Sequence, residues 1–154
     1  MENRCVIGVD PDSERFGVAR YHCGSLENLY NQTLPELIGL ILDVQQICGS
    51  VLVSIENVMA NQFVYARNTQ SSKSAQSKVA MHIGRCQQAQ VELQRWLDHY
   101  GIPYVLHKPQ NGNWAKDKAV FERITGWTGK SNEDQRAAAF FGYLALSDKN
   151  NLTK

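Results

Sequence analysis

The 154-residue chain lacks the features that define most specialised classes of protein. Its four cysteines, Cys5, Cys23, Cys48 and Cys86, form no CxxC pair and have no nearby histidine that reads as standing at zinc-ligand spacing. That argues against a disulfide framework and leads us to expect reduced thiols in a cytoplasmic protein. No apolar run approaches the roughly 18 residues of a membrane span, and residues 1–5 show no basic stretch followed by an apolar one, so neither a spanning helix nor a secretory leader is expected. Only four prolines are present, and no Pro/Gly/Ser-rich block, repeat or low-complexity tract divides the sequence. A single domain over 1–154 follows. Net charge is nearly absent as well, at +1, but the sum hides an uneven distribution. Residues 61–136 carry eleven Lys or Arg against six Asp or Glu, whereas the remainder carries five against nine. A basic centre beside an acidic remainder suits a carboxylate site in one place and a bound polyanion in another, although solvated helix faces produce the same imbalance.

What is present is enough apolar material for a core. With 43% apolar residues, a chain of this length buries roughly two-thirds of its unfolded surface without staples. Arg4 to Val9 is a β-branched run that reads as a buried strand, stopped by the turn Asp10-Pro11-Asp12-Ser13. Phe16–His22 and Leu26–Thr33, separated by Cys23-Gly24-Ser25, read as an antiparallel meander. From Leu34 the period changes to three and four, with Leu37, Ile38, Ile41, Val44 and Ile47 on one helix face and Pro35 in the first turn. Val51–Glu56 is a second buried strand, and strand, helix, strand implies a parallel crossover.

Residues 57–74 are polar and aperiodic and read as a long mobile loop, a length that ordered domains seldom leave structureless without a function such as substrate binding. A long helix follows from about Ala75 to His99, whose stripe of Val79, Ile83, Cys86, Leu93 and Leu97 is interrupted only by Gln90. Tyr104–His107 reads as a strand, Trp114–Thr125 as a basic helix, and Asn132–Leu146 as a final helix with an alanine-rich, tightly packing face. The fold class is α/β or mixed.

Carboxylates recur at chemically useful places. Asp10 closes the first strand, Glu56 closes the fourth, and Glu133 and Asp134 open the last helix. Neighbouring strands lie ~4.8 Å apart, so acids at their ends converge, and a helix across those ends adds a third. A divalent cation neutralises such a group, Mg²⁺ in particular taking few carboxylates plus water and phosphate oxygens. Each acid alone is equally a turn former or an answer to a helix dipole.

The ordered set resembles a known family. Ile7-Gly8-Val9-Asp10-Pro11-Asp12-Ser13-Glu14-Arg15-Phe16-Gly17 is similar to the opening motif of RuvC-type Holliday junction resolvases, members of the RNase H-like nuclease superfamily. Val53-Ser54-Ile55-Glu56-Asn57 resembles their second acidic motif, and Asn132 to Ala139 the start of their C-terminal catalytic helix. The resemblance implies an RNase H-like fold, a mixed central sheet of about five strands flanked by helices. It implies a nuclease site with Asp10, Glu56 and Asp134 as catalytic metal ligands, two Mg²⁺ ions (Mn²⁺ as substitute), and Lys108 and Lys116 near the scissile phosphate, Lys116 with a catalytic part. The family places two Asp one helical turn apart, and this chain has Ala137 at the second position. Glu133, about 100° around the helix from Asp134, is a further candidate ligand. Three explanations stay open: Asp134 suffices, Glu133 takes part through a local shift, or Ala137 marks a form that binds without cutting.

The resemblance also implies an aromatic pushed into the junction, for which Phe63 and Tyr65 are placed after the second acid. Phosphate contacts fall to Arg67, Lys73 and Lys78 on the loop and helix start, and to Lys108, Lys116 and Lys118 nearer the last acids. The expected partner is branched DNA, bound by a homodimer through the long helix with Met81, Trp96 or Tyr100 contributing; no partner helicase is specified. A bacterial and a phage or mobile-element origin fit equally. Rival readings are another RNase H-like nuclease, acting on RNA–DNA hybrids or linear DNA, and a noncatalytic junction-binding protein.

Overall fold

The structure is a computed structural model that describes residues 4–60 and 72–147. Five strands, β1 (Cys5–Asp10), β2 (Phe16–His22), β3 (Ser25–Gln32), β4 (Val51–Glu56) and β5 (Tyr104–His107), form one sheet in the order β3-β2-β1-β4-β5. The meander β1-β2-β3 is antiparallel, whereas β4 and β5 run parallel to β1. The helices are α1 (Leu34–Cys48), α2 (Lys73–Tyr100), α3 (Lys118–Thr125) and α4 (Glu133–Ser147). The expected α/β class, with a mixed sheet of five strands flanked by helices, is what the chain forms. No described helix is long and apolar enough to cross a membrane.

β1 is apolar from Cys5 to Val9 because both faces of the sheet are covered there. Cys5, Ile7 and Val9 point into a core with Leu37, Ile41, Val53, Leu93 and Leu97 beneath α1 and α2. Val6 points the other way, into a core with Tyr21, Trp114, Phe121, Ala138 and Ala139 beneath α3 and α4. Small residues let α4 lie almost on the strands. A Cβ built on Gly8 would stand 2.0 Å from the Ala138 carbonyl oxygen and 2.7 Å from the Gly142 nitrogen, so only glycine fits there. Polar groups lock the contact: the Tyr21 hydroxyl donates to the Ala139 carbonyl at 2.6 Å, and the Ser54 hydroxyl to the Phe141 carbonyl at 2.7 Å.

Two expectations are corrected. The helix predicted from Trp114 begins only at Lys118: Trp114 has φ +65°, outside the right-handed region, and Asp117 caps α3 by accepting from the Val120 amide at 3.1 Å. Trp114 is held in that conformation by rings of Phe140, Phe121 and Tyr143. Nor are all four thiols free, since Cys5 and Cys48 form a disulfide. Their 43-residue separation hid the pair. The crossover through α1 returns the chain to Val51, the parallel partner of Cys5, and so brings Cys48 alongside.

The loop before α4 is fastened by Arg136, a nearly buried guanidinium that donates through Nε and Nη2 to the Ala115 carbonyl at 3.0 and 2.8 Å, and through Nη1 to the Ser131 carbonyl at 2.8 Å. Replacing Arg136 with Ala removes charge-assisted bonds and is expected to cost about 1.5–3 kcal/mol of stability. Urea unfolding reads this loss, and limited proteolysis should show new nicks in 111–117.

Candidate active site

Strand register brings the first two acids together. Val9 pairs with Ile55 in the parallel β1-β4 ladder, so the next residues, Asp10 and Glu56, end adjacent strands side by side. The antiparallel partner of Asp10 on β2 is Gly17. A Cβ on Gly17 would lie 2.3 Å from the Asp134 carbonyl oxygen and 2.9 Å from the Asp134 Cβ. The first turn of α4 therefore rests on the strand beside Asp10. That turn is set by a reciprocal cap in which the Gln135 amide donates to Asn132 Oδ1 at 2.8 Å and the Asn132 amide donates to Gln135 Oε1 at 3.0 Å.

The carboxylates act on one another. Burial, then a hydrogen bond with Glu56 and the charges of Glu56, Asp134 and Asp12, hold the Asp10 carboxyl well above its ordinary range. Partial burial and the charges of Asp12 and Glu133 raise Asp134, partly offset by a hydrogen bond with Asp10. Sequence reasoning missed Asp12, which looked like a turn former and whose charge reaches both Asp10 and Asp134. A group of carboxyl oxygens that resist ionisation together is a donor set suited to a hard divalent cation.

The two residues that follow Glu56 are held by α2 through the residue that broke its apolar stripe. Gln90 is fully buried; its Oε1 accepts from the Val58 amide at 2.8 Å, and its Nε2 donates to Asn57 Oδ1 and to Gln94 Oε1, each at 3.0 Å. The Asn57 amide in turn donates to the His107 carbonyl at 2.7 Å, and His107 stands in register with Glu56 on β5. Gln90 and His107 both escaped sequence reasoning, because a polar interruption in a stripe and a histidine at a strand end carry no chemistry until the strands are aligned. Replacing Gln90 with Leu strands a buried amide and is expected to cost about 1–3 kcal/mol. Thermal unfolding that left stability unchanged or raised would contradict this role.

The other predicted residues fall as follows. Glu133 is exposed, and Ala137 is buried, 3% exposed, under α4. Lys108 follows His107 directly and is exposed, as are Lys116 and Lys118. Lys116 is adjacent to Ala115, whose carbonyl Arg136 grips two residues after Asp134, so its segment is tied to the acidic end of α4. Lys73 and Lys78 are exposed in the first turns of α2, whose start is capped by Ser72. Phe63, Tyr65 and Arg67 lie outside the described residues.

A second cluster adjoins the first. Asp12, His82 and Cys86 bring ligand atoms together, with Cys86 Sγ 3.6 Å from both Asp12 Oδ1 and His82 Nε2. The expectation that no histidine stands at zinc-ligand spacing from a cysteine is corrected: one helical turn separates His82 from Cys86 on α2, and that turn brings their ligand atoms together. Partial burial, then the neighbouring Asp12 carboxylate, pushes the Cys86 thiol up to about 12.

No family model matches the chain, and no curated protein matches it. Among solved structures it is similar to RuvC of Thermus thermophilus in complex with a Holliday junction substrate, with a TM-score of 0.57, 14% identity and 92% of each chain covered. It is similar to a second Thermus thermophilus RuvC structure at the same score and identity, covering 92% of this chain and 93% of that one. At this identity the likeness is one of fold: the five-stranded mixed sheet and its four helices are RNase H-like, of the RuvC kind.

Proposed function

We propose that the chain is a metal-dependent, structure-selective endonuclease that resolves four-way DNA junctions by paired phosphodiester hydrolysis. The observation that carries this reading is the meeting of Asp10, Glu56 and Asp134, from the ends of two parallel strands and the start of α4, in one mutually repelling carboxylate group. Its fold neighbour holds a Holliday junction substrate, which supports the same substrate class.

The donor set fits Mg²⁺, with Mn²⁺ as substitute, and Asp10, Glu56 and Asp134 are the residues that would hold it, with Glu133 adding a further carboxylate. Bound divalent ions would neutralise the cluster, lower the pKa of water and offset charge at the phosphate, two ions serving an in-line displacement best. The protein's own part is placement. Asp10 and Glu56 are fixed by strand register, Asp134 by its cap and by Gly17, and Lys116, with Lys108 beside β5, supplies positive charge for phosphate oxygens.

Lys73, Lys78 and Lys118 extend that charge along the DNA, and Arg67 continues it within the segment after Glu56. Phe63 or Tyr65 of that segment is the ring that stacks in the opened junction, an interaction of about 1–3 kcal/mol per base. A homodimer through α2 would present two sites to opposed strands of a two-fold junction. Met81, Trp96 and Tyr100 remain exposed on α2, the last two stacked on each other, and suit such a face.

The test uses labelled four-way junction, linear duplex and RNA–DNA hybrid, each with Mg²⁺, Mn²⁺ or chelator. Symmetric metal-dependent nicks confined to the junction are expected. Cutting confined to hybrid or linear duplex would assign another RNase H-like activity. Tight junction binding without cuts would favour a noncatalytic role, for which the alanine at 137 is the specific observation.

A further inference from the structure

We infer that Asp12, His82 and Cys86 form a zinc site on the rim of the carboxylate cluster, separate from the hard-cation site and independent of the nuclease reading. The argument begins with distances. Tetrahedral zinc with Zn–S of about 2.3 Å, Zn–N of about 2.0–2.1 Å and Zn–O of about 2.0–2.2 Å sets its ligand atoms roughly 3.3–3.6 Å apart. Here Cys86 Sγ is 3.6 Å from His82 Nε2, 3.6 Å from Asp12 Oδ1, and His82 Nε2 is 3.8 Å from Asp12 Oδ1. Three atoms of three different elements thus form a nearly equilateral triangle, which one small ion would close.

The same distances argue against a nucleophilic triad. In a Cys-His-Asp relay the carboxylate holds one imidazole nitrogen and the thiol faces the other. Asp12 and Cys86 instead approach the same nitrogen, Nε2, and also each other. Convergence on one point is the geometry of ligation rather than of proton relay.

Helix geometry and the surroundings support the set. His82 and Cys86 are four apart on α2 and so share a face. The Ser13 amide donates to Asp12 Oδ1 at 2.7 Å and orients the carboxylate from outside. The donors are nitrogen, sulfur and a single oxygen, a set that selects zinc over the magnesium favoured by carboxylates alone. The His82 side chain is 61% exposed, which leaves a fourth position open to water.

The site also answers a packing question. The buried residues of α2 are Gln90, Leu93 and Leu97, all in its second half, whereas residues 73–86 are exposed or half-buried. Zinc bound at 82 and 86 would fasten that loosely packed half to the turn that follows Asp10. Binding would release the Cys86 thiol proton to solvent.

Co²⁺ and Zn²⁺ titrations of the full chain test this. With excess Mg²⁺ present to fill the carboxylate site, Co²⁺ should bind one per chain with a near-ultraviolet thiolate-to-metal band and tetrahedral visible bands, and Zn²⁺ should displace it. Cys86→Ser should lose the thiolate band, His82→Ala should weaken Zn²⁺ binding by on the order of 100-fold, and Cys23→Ser should leave both unchanged. Zn²⁺ should slow amide exchange across 73–86 in the wild-type chain and not in Cys86→Ser, with circular dichroism confirming that each variant is folded. Absence of the thiolate band from the wild-type chain, its survival in Cys86→Ser, or equal exchange protection in both would overturn the site.

Discussion

Asp10→Asn is expected to lower junction cutting by on the order of 10³-fold or more while junction affinity stays largely intact. The side chain keeps its shape and loses the charge that would hold a divalent ion, and ion-mediated stabilisation of a phosphoryl transition state is worth several kcal/mol. DNA affinity comes mainly from phosphate contacts to Lys and Arg, which the change leaves in place. Gel-based cutting and binding assays on one junction read both quantities, and parallel loss of both would sink the assignment of Asp10.

The same variant should be more stable than the wild-type chain when metal is absent. The Asp10 carboxyl is held well above its ordinary value of 3.8 by burial and by Glu56, Asp134 and Asp12. A carboxyl raised on folding contributes stability that is fully present below the unfolded value and is lost as pH rises through the folded one. Metal-free wild type should therefore weaken from about pH 4 upward, and Asn, which never ionises, avoids that loss. The melting temperature of Asp10→Asn should exceed that of wild type at pH 8 and the gap should close toward pH 4, each 1 kcal/mol appearing as roughly 2–4 °C. Mg²⁺ should close it too, by raising the wild type. A gap that widened toward acid would show that the carboxylates do not repel as described.

Much of this arrangement was legible in the sequence because its signals were periodic or terminal. β1 and β4 announced themselves as apolar runs, α1 by its stripe, and Asp10, Glu56 and Asp134 by standing at the ends of elements. What could not be read was lateral. Cys5 meets Cys48 only because the crossover returns to β1, and Asp12 joins the acids only because its turn folds toward α4. Gln90 looked like a flaw in an apolar face until the end of β4 was placed against it. The start of α3 was misplaced for a local reason: Trp114 is buried by its ring contacts, and that packing overrides the helical pattern of its neighbours.

Gly17→Ala is expected to cost cutting far more than it costs folding, because the added methyl strikes the backbone of one acid rather than the core. Its Cβ would sit 2.3 Å from the Asp134 carbonyl oxygen, a backbone atom that cannot swing aside, so the first turn of α4 must move outward. Displacement of a reacting group by about 1 Å costs roughly 10²-fold in rate. The helix survives the shift, since its cap at Asn132 and its grip through Tyr21 and Ser54 lie to either side. Gly8→Ala meets the same helix at its centre, with the Ala138 oxygen at 2.0 Å and the Gly142 nitrogen at 2.7 Å. There the whole of α4 must lift, and a loss of about 3 kcal/mol or more, the upper end for overpacking, would remove a large share of a typical domain's stability. Gly39→Ala supplies the control: nothing lies within 4 Å of its Cβ on an exposed face of α1, and it should stabilise by up to about 1 kcal/mol. Urea unfolding orders the three variants, and junction cutting separates Gly17→Ala from Asp134→Asn. If Gly17 acts by seating Asp134, the double variant should cut no more slowly than Asp134→Asn alone. Additive losses would mean that the glycine serves the site through some other contact.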